Sequence, residues 1–228
     1  MLLAVVVTAS ASFYWIYYLV LVQPGSVRLR CSRLLEIKKR VDAFVRIGDW
    51  SHRECRNPIG TRPDKHPAYA VGTPCEPWIQ RGAISALEYV LESSMNGLEW
   101  SSGSSTRFYL TLMSSVYTIE HDVSWFMGAN VESQVRADGI GRWNFTLIAP
   151  TKSWAGDGSL AEFTPYINAA LPRKQFEFVS IDGRARADCL DRVVRDNLLA
   201  PEGILLIDNS DRPTYNASMQ KVPTSWIR

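Results

Sequence analysis

Cysteine is scarce in this chain: Cys31, Cys55, Cys75 and Cys189 are spread over 228 residues with no C-x-x-C pair. That is too few for a disulfide-stapled scaffold and the wrong spacing for a ribbon-type zinc site. Histidine is scarcer, with three residues. His52, Cys55, His66 and Cys75 do share a proline-rich stretch, but their spacings match no common zinc finger, so they read as ordinary loop or buried residues. A dominant charge is missing too, with 25 basic against 23 acidic residues. No Lys/Arg stripe interleaved with aromatics appears either, and this argues against a nucleic-acid partner.

What the chain has is apolar residues, 46% of the total, enough for one good core and hardly two. The longest charge-free run comes first, "LLAVVVTASASFYWIYYLVLV" from Leu2 to Val22. As a helix rising about 1.5 Å per residue it would cross a hydrocarbon core of about 30 Å, so a single-pass membrane anchor is expected. A cleaved signal peptide competes, since "ASAS" offers small residues, but no basic residue precedes the apolar stretch. Basic residues follow it (Arg28, Arg30, Arg33, Lys38, Lys39, Arg40), which leans the remainder toward the cytosol. The alternative is the secretory lumen, where the sequons at Asn144 and Asn216 would become relevant.

Next, "SRLLEIKKRVDAFVRI" spaces its apolar residues at helical intervals, predicting a juxtamembrane amphipathic helix. Gly48 to Pro77 has the composition of an irregular linker. Regular alternation follows. "WIQRGAISALEYVLES" reads as a helix, "GLEW" as a strand, "STRFYLTLMSS" as a helix, "VYTIEHD" as a strand and "VSWFMGANVESQVRADG" as a helix. "NFTLIA", "FEFVSIDG" and "GILLIDNSD" are further strands, with the helix "RADCLDRVVRDNLLA" before the last and closed by Pro201. Near-continuous apolar strands alternating with helices predict an open, doubly wound, mostly parallel α/β sheet covered on both faces.

In such a sheet, ligands lie outside the carboxyl ends of the strands. Those ends here carry Glu99 with the turn Ser101-Ser102-Gly103-Ser104-Ser105-Thr106, then Glu120-His121-Asp122, then Asp182, then Asp208-Asn209. A small-residue turn entering a helix lets backbone N–H groups approach a ligand. An acid at the tip of the following strand is placed to accept the hydroxyls of a ribose. Asp182, Asp208 and Asn209 also form a hard-oxygen set suited to a divalent cation such as Mg²⁺. Against the cation stand Arg184 and Arg186 close by, which could equally grip an acidic group.

"LEWSSGSSTRFYL", "VYTIEHDVSWF", "FEFVSIDGRARADCLDRV" and "GILLIDNSDRPTY" together resemble the class I S-adenosylmethionine-dependent methyltransferases, over roughly Pro77 to Tyr215. The resemblance implies a Rossmann-like methyltransferase domain over 76–228, after an anchor at 1–23 and a helix and linker at 24–75. It implies that Glu99 and Ser101 to Thr106 hold the methionine part of S-adenosylmethionine. Glu120 would then bind the ribose, with His121, Asp122 and Trp125 on the adenosine side. Asp182 would be the catalytic residue, in some relatives through a metal shared with Asp208 and Asn209, and the acceptor a hydroxyl of a small molecule or glycan. Ser101 stands where the family usually has glycine, which would strain a turn needing positive φ. The family also adds two strands after the fifth, one of them antiparallel, for which little chain remains here. An inactive methyltransferase-fold binding module and a NAD-type oxidoreductase are the alternatives, although "SSGSST" fits G-x-G-x-x-G poorly.

Overall fold

A computed structural model describes residues 5–11, 14–22, 81–128 and 142–226. The candidate zinc residues, the amphipathic helix expected after the apolar run and the whole expected linker lie outside them.

Seven strands form one sheet in the order β1-β2-β7-β6-β3-β4-β5. Five of them, β3 (Asn96–Trp100), β4 (Ser115–Glu120), β5 (Trp143–Leu147), β6 (Phe176–Ile181) and β7 (Leu199–Asp208), run parallel. The chain steps outward from β3 to β4 and β5, then crosses back to β6 and β7. The order therefore reverses beside β3, where doubly wound sheets open a crevice.

The described residues of the run expected as a membrane helix form strands instead. Val5–Ala11 (β1) and Tyr14–Val22 (β2) are antiparallel strands, with β2 laid antiparallel on β7 from Tyr18↔Asp208 to Val22↔Ile204. The reason is in the composition. Val, Ile, Thr, Tyr and Trp crowd this run, and such residues favour a pleated strand, whereas a charge-free stretch reads alike as a helix or a strand. Among the described residues, no helix is long and apolar enough to cross a membrane. Beyond β7 the sheet is thus extended by two strands from earlier in the chain, with β2 antiparallel to β7.

Strand alternation sorts the core into two layers. Val116, Phe178, Ile204 and Leu206 face α1 (Arg81–Val90) and α2 (Ser104–Leu112), with Leu87, Tyr109 and Leu110 between them. Leu98, Trp100, Ile119, Val179, Ile181 and Leu205 face α4 (Leu160–Ile167) and α5 (Arg186–Arg195), against Phe163, Tyr166, Leu190 and Val193. Each such buried side chain stabilises by about 1.5–3 kcal/mol relative to exposure. The short α3 (Val123–Gly128) follows β4 and contributes Phe126 to the first layer.

Two boundaries differ from the periodic reading. The last long helix stops at Arg195 rather than running to Ala200, because Asn197 adopts φ 51° and turns Leu198 and Leu199 into the sheet. Pro201 then lies inside β7, where a register shift against β6 accommodates a residue with no N–H to donate. After β7 come a 3-10 turn (Pro213–Tyr215) and the one-turn α6 (Asn216–Met219).

Candidate functional site

The parallel strands bring Glu99, Glu120, Asp182 and Asp208 to one rim, as the strand ends suggested. Pairing places Glu99 opposite Thr118 and Ser180. One step further along the same face, the sheet carries Ser101, Glu120, Asp182 and Asp208 in a row.

Glu99 is fully buried beneath α2. Its Oε1 accepts from the Ser105 hydroxyl at 2.7 Å, and its Oε2 from Thr106 at 2.7 Å and Thr118 at 3.1 Å. Thr118 in turn accepts the Trp143 indole N–H at 2.9 Å. Thr106 Oγ1 also accepts the backbone N–H of Gly103 at 3.0 Å, tying the carboxylate to the turn itself. Burial pushes the Glu99 carboxyl up to about 7 in spite of the three hydroxyls.

The turn carries backbone strain at Ser101. Ser101 adopts φ 130° and Gly103 φ 153°, and only the second has the residue that tolerates such a backbone without cost. Ser102, Ser104, Ser105 and Thr106 are all buried, so the six small residues are not a solvated loop.

Glu120 is 1% exposed. Its Oε1 accepts the backbone N–H groups of His121 at 2.7 Å and Asp122 at 2.8 Å, and its Oε2 accepts the Ser102 hydroxyl at 2.6 Å. Trp125 closes the arrangement by donating its indole N–H to the Ser102 carbonyl at 3.0 Å. Asp122 Oδ1 accepts the Trp125 backbone N–H at 2.8 Å, the part of a helix cap. The His121 ring turns to the opposite face of the sheet, packing edgewise on Phe163 and Tyr166 with centroids 5.3 and 5.2 Å away. Its Nδ1 lies 3.0 Å from Glu120 Oε1 without hydrogen-bond geometry.

Asp182, Asp208 and Asn209 do come together, but around a guanidinium. Arg186 donates to Asp208 Oδ2 at 2.5 Å and to the carbonyls of Gly183, Asp208 and Asp182 at 2.8 to 2.9 Å, and it lies 3.3 Å from Asp182 Oδ1. Burial works against its charge, yet the two carboxylates hold its pKa above the usual guanidinium value. Crowding by protein atoms, then Asp208, push the Asp182 carboxyl well upward, although a third of its side chain stays open. Asn209 turns its amide N–H onto Asp208 Oδ2.

This trio does not fit a divalent cation, because the position between the carboxylates is taken by a tethered positive charge. Among the described residues, no group of three His, Cys, Asp or Glu side chains lies close enough to hold a metal. Nor is Arg186 free to grip an acidic substrate, since every nitrogen of its fork is engaged. Sequence reasoning missed this centre, although the i,i+4 spacing of Asp182 and Arg186 was a usable signal.

The centre also anchors the end of the chain. Asp157 Oδ2 accepts the Arg186 backbone N–H and the Tyr215 hydroxyl, both at 3.1 Å, while Arg212 lies 3.5 Å from its other oxygen. Gly183 makes room for α4: a Cβ there would meet the Tyr166 hydroxyl at 2.1 Å and the Trp100 carbonyl at 3.2 Å.

No protein-family model matches this chain, and no curated protein is similar to it.

Proposed function

We propose that this chain is an S-adenosylmethionine-binding protein of methyltransferase type, passing a methyl group to a hydroxyl of a small molecule or glycan. The observation that carries the reading is Glu120. It is a carboxylate at the tip of the strand next to β3, beside the strand–turn–helix and next to the point where strand order reverses. The cofactor supplies an activated methyl on a sulfonium, so the protein's work is alignment rather than acid–base chemistry.

In this reading Glu120 holds the ribose and Ser101 to Ser104 line the methionine side. Glu99, Ser105 and Thr106 act through the turn, since the Glu99 oxygens are already occupied by hydroxyls. Asp182, partly open at the same rim, faces the acceptor. Exposed Trp125, whose indole N–H holds the Ser102 carbonyl, offers a ring face on the adenosine side.

A second reading, a binding module without catalysis, is favoured by two observations. Glu120 is closed over by Ser102, and Asp182 is held by Arg186. Titration calorimetry with S-adenosylhomocysteine tests the first reading: folded wild type binds, and Glu120→Gln weakens binding at least tenfold. Binding that Glu120→Gln leaves unchanged, or no binding at all, rejects it. Binding without methyl transfer to any acceptor screened supports the module.

A further inference from the structure

Glu120 has a fixed acceptor capacity, and most of it is spent. A carboxylate offers about four lone-pair directions, two on each oxygen. On Oε1 both are used, by the N–H groups of His121 and Asp122 at 2.7 and 2.8 Å. On Oε2 one is used, by the Ser102 hydroxyl at 2.6 Å. One direction is left.

Ser102 is not a passing neighbour in that contact. It is 4% exposed, its carbonyl accepts the Trp125 indole N–H at 3.0 Å, and it lies between Ser101 and Gly103, both at positive φ. Its hydroxyl occupies one of the acceptor directions of Glu120 Oε2.

We infer that Ser102 is a built-in competitor for the ligand's diol and sets hydroxyl specificity at this site. The inference rests on the cofactor reading above. With Ser102 seated, Glu120 can accept one ligand hydroxyl. A ribose can place two there only if Ser102 turns away, so the second hydroxyl replaces a bond of equal kind and adds little. The natural protein therefore discriminates weakly between ribose and 2′-deoxyribose ligands. Removing the Ser102 hydroxyl frees the direction, and discrimination appears.

The test uses the full chain, with S-adenosylhomocysteine and its 2′-deoxyribose counterpart as probes in titration calorimetry. Wild type is expected to bind the two within about threefold. Ser102→Ala is expected to bind the ribose form roughly tenfold tighter and the deoxy form unchanged, the size of one charge-assisted hydrogen bond. A thermal melt verifies folding. If Ser102→Ala does not fold, Trp125→Phe, which unpins the Ser102 carbonyl, is expected to shift the ribose form in the same direction by a smaller factor.

Several results overturn the inference. One is a wild type that already prefers ribose tenfold. Another is a Ser102→Ala protein that binds the ribose form no tighter than wild type does, while Glu120→Gln still weakens binding. In that last case the cofactor reading stands and the role of Ser102 falls. Absence of binding by every folded variant removes both.

Discussion

Two pairs of carboxylates share one rim of this sheet and are neutralised in opposite ways. Glu99 and Glu120 are surrounded by neutral donors: serine and threonine hydroxyls and backbone N–H groups. Asp182 and Asp208 are bridged by Arg186. Neutral donors are individually weak and exchangeable, and they leave a carboxylate free to protonate or to trade one hydroxyl for another. A buried guanidinium fork is neither weak nor exchangeable. One half of the rim is thus held by exchangeable bonds, and the other by a fixed ion pair.

Removing the fork should produce the largest effect. Arg186→Met leaves two carboxylates facing each other without a cation, and about 3–5 kcal/mol of stability should be lost in urea titration at pH 7. In the same experiment added Mg²⁺ or EDTA should leave the wild type unmoved. A wild-type melting temperature that rises with Mg²⁺ would break the comparison.

The neutral half should instead show itself through pH. Glu99 in the folded protein titrates near 7, against an unperturbed 4.5, so the folded state holds its proton more tightly than the unfolded chain does. Its contribution is complete below pH 4.5 and is lost as pH rises through 7, by about 3 kcal/mol from the width of that interval. Wild-type stability should fall across this window relative to Glu99→Gln, whose amide has no proton to lose. Parallel pH profiles for the two proteins would show that Glu99 is not the responsive group.

The smallest expected change lies in the turn between the two halves. Ser101→Gly relieves a non-glycine residue at φ 130° while loosening the unfolded chain. The net expectation is a gain of about 1 kcal/mol, read as a higher urea midpoint at unchanged slope.

The sheet was readable because parallel strands buried on both faces are continuous apolar runs, and "FEFVSI" and "GILLI" can be little else. The rim acids followed from polarity alone: the parallel strands all end on one side. What could not be read were partnerships that depend on three-dimensional proximity. Nothing in the spacing of Arg184 and Arg186 says which of them reaches Asp208. Helix α4 was missed because Pro165 interrupts it, although Ser159 and Glu162 form a capping box at its start. Trp143 belongs to no motif, and only the fold brings its indole N–H to Thr118 beneath Glu99.

The hairpin of β1 and β2 carries a consequence for the order of events during synthesis. Tyr18 pairs with Asp208, so β2 waits for a strand made much later in the chain. Contacts so distant in sequence form slowly, because a long loop must close before they return any stabilisation. A nascent chain on the ribosome would carry this apolar ribbon unsheltered until β7 emerges, and so would depend on whatever shields it in the interval.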